Sequence, residues 1–134
     1  YRSPRNMPGT VEGNGKQAGS NWLGDASVGD GAPIPSQIAD KLRGREFGSF
    51  DAFRKTFWKE VAADPELSKQ FHPDDVELMK KGYSPTVSAK DSVGKRVKME
   101  LHHKQQISKG GDVYNVDNLN ALTPKRHIEI HKGE

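Results

Sequence analysis

The sequence predicts an α+β fold: a mostly helical body followed by a C-terminal strand–strand–helix unit able to hold a metal ion. Three observations predict it. Apolar residues recur at helical spacing between Ile34 and Phe71, and they alternate as in a half-buried strand between Lys95 and Leu101. Four of the five histidines crowd into the 99–131 stretch, two of them spaced i, i+4. The 134 residues suffice for a single domain, expected over 1–134, with a modest core.

The composition is polar, 32% hydrophobic and 29% charged, and its 14 Gly and 8 Pro call for long loops around that core. A formal net charge of +3 and a pI near 9.1 lean weakly towards a polyanionic partner. There is no cysteine, so no disulfide forms and any metal must be held by His, Asp or Glu. Such a chain suits the cytosol, and equally an exported domain that unfolds to cross a membrane. No apolar run approaches the roughly 20 residues of a membrane span, and no signal peptide is expected within these residues. Because the chain starts with Tyr1 rather than Met, it is expected to be part of a longer protein.

Residues 1–31 read as a glycine-rich arm, floppy by composition, that Trp22 and Leu23 can pin to the body. Arg5 on this arm is a candidate phosphate contact. The helical body covers 34–82. Pro35 and Ser36 open one helix, and Ser49 caps a second whose Phe50, Phe53, Phe57 and Val61 form a core stripe. Asp64-Pro65 restarts the chain as cap and first-turn proline. His72 precedes a short helix with acid in its first turns, and a surface or capping role suits this isolated histidine best. Gly82 closes it. Tyr83 to Val87 is extended and Ser88 to Gly94 is loop; an exposed Tyr83 invites a protein partner, and packing of Tyr83 on the helices is the alternative.

The 95–134 stretch carries the chemistry. Val97, Met99 and Leu101 share one strand face; Arg96, Lys98, Glu100 and His102 share the other. For His102 and His103 to reach one centre, the strand is expected to end or bulge between them. Gly110-Gly111 turns the chain, and Asn118 to Leu122 returns antiparallel. Thr123 then caps a helix begun by Pro124 and ended by Gly133, which sets His127 and His131 one turn apart. Three neutral imidazoles, His102, His127 and His131, plus an open position make a catalytic metal site rather than a closed structural one. Phosphodiester hydrolysis needs those parts: a cation on the phosphoryl oxygens and leaving oxygen, and a base such as His103 that titrates near neutral pH. Arg5 and Arg96 can fork onto phosphate. Glu100 can pair with Arg96 or orient an imidazole, and Asn118 can tie the connecting loop to the backbone.

Glu100-Leu-His-His, then Asn118, then His127-x-x-x-His131 resembles the HNH (ββα-metal) endonucleases. With Gly31-Ala-Pro-Ile-Pro35, Asp64-Pro-Glu-Leu-Ser-Lys69, Lys81-Gly-Tyr-Ser-Pro85 and Thr123-Pro-Lys-Arg-His-Ile-Glu-Ile-His131, nearly the whole chain resembles the cytotoxic DNase domain of the nuclease colicins and pyocins, in its pyocin branch. The resemblance implies one divalent metal ion (Zn, Ni, Co or Mg) on His102, His127 and His131, with His103 as general base. Arg5, Arg96, Glu100 and Asn118 complete the site. It implies a domain of a secreted bacterial toxin that acts in the cytoplasm of the target bacterium. That domain cuts double-stranded DNA with little sequence preference, through the minor groove and the backbone. It also implies a small acidic immunity protein bound 1:1 to a monomer, on a surface within about 72–98 and near Arg54; Asp74, Asp75, Glu77, Tyr83, Ser84, Thr86, Val87 and Lys98 are its candidate contacts. One departure stands out. An aromatic follows Tyr-Ser-Pro in the colicin pattern where this chain has Thr86, which puts the identity of the cognate inhibitor in doubt. Two alternatives remain at this point: a non-catalytic, metal-stapled nucleic-acid-binding module, and an RNA-cleaving toxin.

Overall fold

The computed structural model describes residues 4–18, 21–29 and 31–132, the side chains of 131 and 132 apart. Its centre is α3 (Phe50–Ala63), whose Phe50, Phe53, Phe57, Trp58 and Val61 are all buried. Each such side chain contributes roughly 1.5–3 kcal/mol by leaving water. Ser49 starts α3 by accepting the Ala52 N–H at 3.3 Å, a cap of about 1 kcal/mol. α2 (Ser36–Leu42) covers one side of it with Ile38 and Leu42. Asp64 caps α4 (Pro65–Ser68) through the Glu66 and Leu67 N–H groups, and α5 (Pro73–Lys80) packs along α3 and buries Met79. His72 is a capping histidine, its Nδ1 accepting the Asp74 N–H at 3.1 Å.

The glycine-rich arm is not floppy over its described residues. β1 (Gly9–Thr10) pairs with β3 (Glu46–Phe47), α1 (Trp22–Asp25) follows, and β2 (Ala32–Pro33) joins the C-terminal sheet. Trp22 is fully buried; its indole N–H donates to the Pro33 carbonyl at 2.6 Å, and its ring meets Trp58 and Phe71. Composition misleads here because a few large apolar anchors, not the average residue, decide whether an arm stays down. Pro33 is tolerated because β2 is an edge strand.

The sheet that carries the site has the order β2-β5-β4, antiparallel throughout, with β4 at Glu100–His103 and β5 at Leu119–Leu122. The strand expected from Lys95 thus begins at Glu100. Residues before it pair instead with the 85–87 segment: Val87 N–H donates to the Val97 carbonyl, and Met99 N–H to that of Pro85. Met99 is buried and Val97 exposed, so the alternation served a local pairing rather than one continuous strand. α6 (Pro124–Lys132) closes the unit, its first turn capped by Thr123 Oγ1, which accepts the Arg126 N–H at 3.3 Å. The predicted stop at Gly133 lies outside the described residues. Among the described residues no helix is long and apolar enough to cross a membrane.

Candidate active site

Strand β4 runs through His103 without a break. His102 pairs with Asn120 and His103 with Leu119 in regular register, so the expected end or bulge between them is absent. The two side chains therefore leave on opposite faces. Both still line one cleft of about 300 Å³, with Arg5, His127, Gln106 and Ser108, and β4 is an edge strand of its sheet.

On one face the His102 and His127 rings stand 4.7 Å apart between centroids. His127 Nδ1 lies 2.8 Å from Glu100 Oε1, which can only accept, so Nδ1 carries the proton and Nε2 the lone pair. Glu100 also accepts from Arg96, through Nε at 3.0 Å and through Nη2. Burial pushes the Glu100 carboxyl up, but the hydrogen bonds from His127 and Arg96 outweigh it and hold the pKa at about 2. The Arg96 guanidinium is raised by its hydrogen bond to Glu100. Glu100 thus does both things the sequence allowed. Arg96 is tied to the carboxylate four residues on.

On the other face His103 packs against the Phe50 ring, 4.7 Å between centroids, and its Nε2 lies 3.1 Å from the Val113 carbonyl oxygen. A carbonyl only accepts, so Nε2 carries the proton and the Nδ1 lone pair is left to take one. Burial lowers the His103 pKa, against the hydrogen bond to Val113, and the Arg5 charge lowers it further. Arg5 itself stacks on Phe50, with Cζ 5.1 Å from the ring centroid. Val113 and Phe50 are the partners that sequence reasoning missed. A backbone carbonyl leaves no mark on a sequence, and Phe50 read as core, which it also is.

Asn118 stands apart from the residues lining the cleft. Its Oδ1 accepts the Gln105 N–H at 2.9 Å, and its Nδ2 donates to the carbonyls of Gln105 and Asp112, which ties both ends of the loop after β4. His131 follows His127 by one turn on α6, but its side chain lies outside the described residues. Among those residues no group of three metal-ligating side chains is complete. The donor set nonetheless suits a metal: two adjoining imidazoles, one of them backed by a carboxylate that fixes its tautomer, as metal-ligating histidines commonly are.

A groove of about 430 Å³ lies beside this site and reaches Arg96 and Glu100; Arg54, Tyr83, Ser84 and Lys98 line it. Tyr83 is 52% exposed, with Lys98 Nζ 5.3 Å from its ring centroid. Arg54 pairs with Asp51. Asp75 is turned inward, its Oδ1 accepting the Thr86 N–H at 3.1 Å and the Thr86 hydroxyl at 2.7 Å, whereas Asp74 and Glu77 stay at the surface. Val87 packs against the core.

Residues 9–132 match the family model of the colicin/pyocin-S2 DNase domain. The chain belongs to the colicin/pyocin DNase family. It is a bacteriocin DNase domain, 56% identical over 133 residues to pyocin S1 of Pseudomonas aeruginosa and 54% identical over 127 residues to colicin E8 of Escherichia coli. Those matches cover 99% and 95% of this chain but 22% of the pyocin and 62% of the colicin, so the chain spans about a fifth of the length of the first. Among solved structures of the family, the crystal structure of the pyocin AP41 DNase–immunity complex superposes with a TM-score of 0.91 at 46% identity, covering 95% of this chain and 94% of that one. The mutant nuclease domain of pyocin S8 with its cognate immunity protein gives 0.90 at 51% identity, covering 92% and 98%.

Proposed function

We propose that this DNase domain is an HNH-type endodeoxyribonuclease that hydrolyses phosphodiester bonds in double-stranded DNA with little sequence preference, using one histidine-held divalent metal ion and a histidine general base. The observation that carries it is the His103 tautomer: Nε2 is held by the Val113 carbonyl, so a neutral imidazole presents Nδ1 in the cleft that Arg5, His102 and His127 also line. His102, His127 and His131 would hold the metal, which when bound draws charge from the phosphoryl oxygens and the leaving 3′ oxygen. His103 takes the proton from the attacking water at Nδ1, and burial keeps it unprotonated near neutral pH. Arg5, pre-stacked on Phe50, binds a non-bridging phosphate oxygen. Glu100 and Arg96 orient His127, and Asn118 holds the loop behind the strand.

The domain acts as part of a larger secreted toxin, in the cytoplasm of the target bacterium, gripping the DNA backbone through the minor groove. Its inhibitor is a small acidic immunity protein bound 1:1, as the two solved DNase–immunity complexes of the family support. That protein covers the groove beside the site, with Arg54, Tyr83, Ser84, Lys98 and the neighbouring Asp74, Asp75, Glu77, Thr86 and Val87 as candidate contacts. Purified domain with Zn, Ni, Co or Mg should convert supercoiled plasmid to nicked and linear forms and leave tRNA and rRNA intact. Retained fold with no cleavage under any of these metals would favour the metal-stapled binding module; faster cutting of RNA would favour the RNA toxin.

A further inference from the structure

One aromatic side chain outside the cleft joins its two halves. The stretch from Arg5 to Lys16 lies across the loop that follows β4, and Tyr114 is where it is held. The Tyr114 hydroxyl donates to the Met7 carbonyl at 2.7 Å, across 107 residues of sequence. A Cβ added at Gly9 would come within 2.3 Å of the Tyr114 ring, so the arm passes over that ring with only a glycine's clearance. The Glu12 N–H donates to the Tyr114 carbonyl, and the Val116 N–H to that of Glu12. Two residues further along the arm, Asp117 accepts the Asn14 and Gly15 N–H groups.

Tyr114 is 8% exposed, and its ring lies against Phe53 and Phe50, at 6.4 and 6.5 Å between centroids. Phe50 is the ring on which Arg5 and His103 both rest. The residue before Tyr114 is Val113, whose carbonyl holds the His103 tautomer. Met7 in turn closes the single 3-10 turn Pro4–Asn6 that carries Arg5, its N–H donating to the Pro4 carbonyl at 3.2 Å. A bond at Met7 therefore sets the orientation of that short turn, and with it the direction in which the Arg5 guanidinium leaves the backbone.

We propose that Tyr114 is a positioning residue for DNA cleavage: its hydroxyl anchors the Met7 carbonyl and so fixes where Arg5 stands relative to His103. The inference rests on the nuclease reading of the cleft and deepens it. The ring of Tyr114 has a packing role that phenylalanine would keep, whereas the hydroxyl serves the arm. Tyr114→Phe thus separates the two.

The test compares the parent domain, Tyr114→Phe, Arg5→Ala and the double variant by steady-state cleavage of a fluorogenic DNA duplex with added divalent metal. It also follows the Arg5 Nε–H resonance by NMR of the metal-free proteins; with the guanidinium 5.1 Å from the Phe50 ring centroid, that resonance should feel the ring current. Tyr114→Phe should lower kcat/KM roughly tenfold, the scale of a small misplacement of a binding group. The double variant should be no slower than Arg5→Ala, because both changes remove the same contact. The Arg5 resonance should move towards its value in a free arginine while thermal unfolding stays cooperative. Rates that multiply in the double variant, or a Tyr114→Phe domain as fast as the parent, would overturn the proposal. An unmoved Arg5 resonance would overturn the anchor whether or not the domain cuts DNA. A parent domain that cuts nothing, with the resonance still sensitive to Tyr114→Phe, would instead sink the nuclease reading and leave the anchor standing.

Discussion

His102 and His103 are neighbours on one strand, and the two faces of that strand give them opposite surroundings. The His102 face is a chain of charge: His127, Glu100 and Arg96 are linked by hydrogen bonds that hold the carboxylate ionised down to about pH 2. On the His103 face Phe50 covers the ring, a backbone carbonyl fixes its tautomer, and burial, with the Arg5 charge beside it, lowers its pKa. An imidazole backed by a carboxylate is a better cation ligand, because the carboxylate sharpens its basicity and its aim. One buried against a phenyl ring is kept neutral and able to accept a proton. Alternation along an edge strand thus gives two adjacent, chemically identical residues different surroundings in one cleft.

Four variants can break or sharpen that contrast. The largest effect is expected from His103→Ala, which should slow plasmid cleavage by about 10²–10⁴-fold while calorimetric metal binding stays near the parent's. Loss of metal binding in this variant would mean the two faces are not separate. Glu100→Gln comes next and should weaken metal binding by about 10–100-fold without altering the His103 tautomer. The same carboxyl has a stability signature in the metal-free protein. Its pKa falls from 4.5 to about 2 on folding, so its contribution is present above 4.5 and is lost as pH falls through 2. Acid unfolding of parent and Glu100→Gln should therefore differ near neutral pH and converge at the acid end; parallel curves would refute the linkage.

Tyr83→Ala addresses the neighbouring groove. Inhibitor affinity should fall by at least about tenfold, since a half-exposed aromatic is the usual anchor of such a surface, with DNA cleavage unchanged. A matching loss of cleavage would show that the groove and the cleft act as one site through Arg96 and Glu100. The smallest effect belongs to Phe50→Leu. Thinning the cover on His103 should let its pKa rise towards the ordinary 6.5, moving the acid limb of the rate profile, and the imidazole titration seen by NMR, to higher pH. A shift to lower pH would show that desolvation is not what holds the base neutral.

Much of the fold could be read from the chain because its signals are local. The caps at Ser49, Asp64 and Thr123 bond to amides two or three residues on, and the stripe of Phe50, Phe53 and Phe57 repeats within two turns. The ββα order and the approach of His102 to His127 followed from spacing and turn residues. What failed were statements about register and exposure. The arm reads as floppy by composition although Trp22, given as its pin, does hold it down; the β4 strand is expected to start at Lys95 and to end or bulge between the histidines, and each of these depends on which distant segment lies alongside. The pairing of Arg96 with Glu100, by contrast, spans only four residues and was legible in the sequence.

The sequence by itself determined where helices start and which imidazoles are available, because those are matters of residue type and of bonds spanning a turn. Tertiary structure decided which ring nitrogen of each of two imidazoles carries the proton. The proton on His127 is placed by a carboxylate 27 residues away and that on His103 by a carbonyl 10 residues away. Neither partner falls within a helical turn or a strand repeat, so no periodicity in the chain records them. Folding alone brings them within reach.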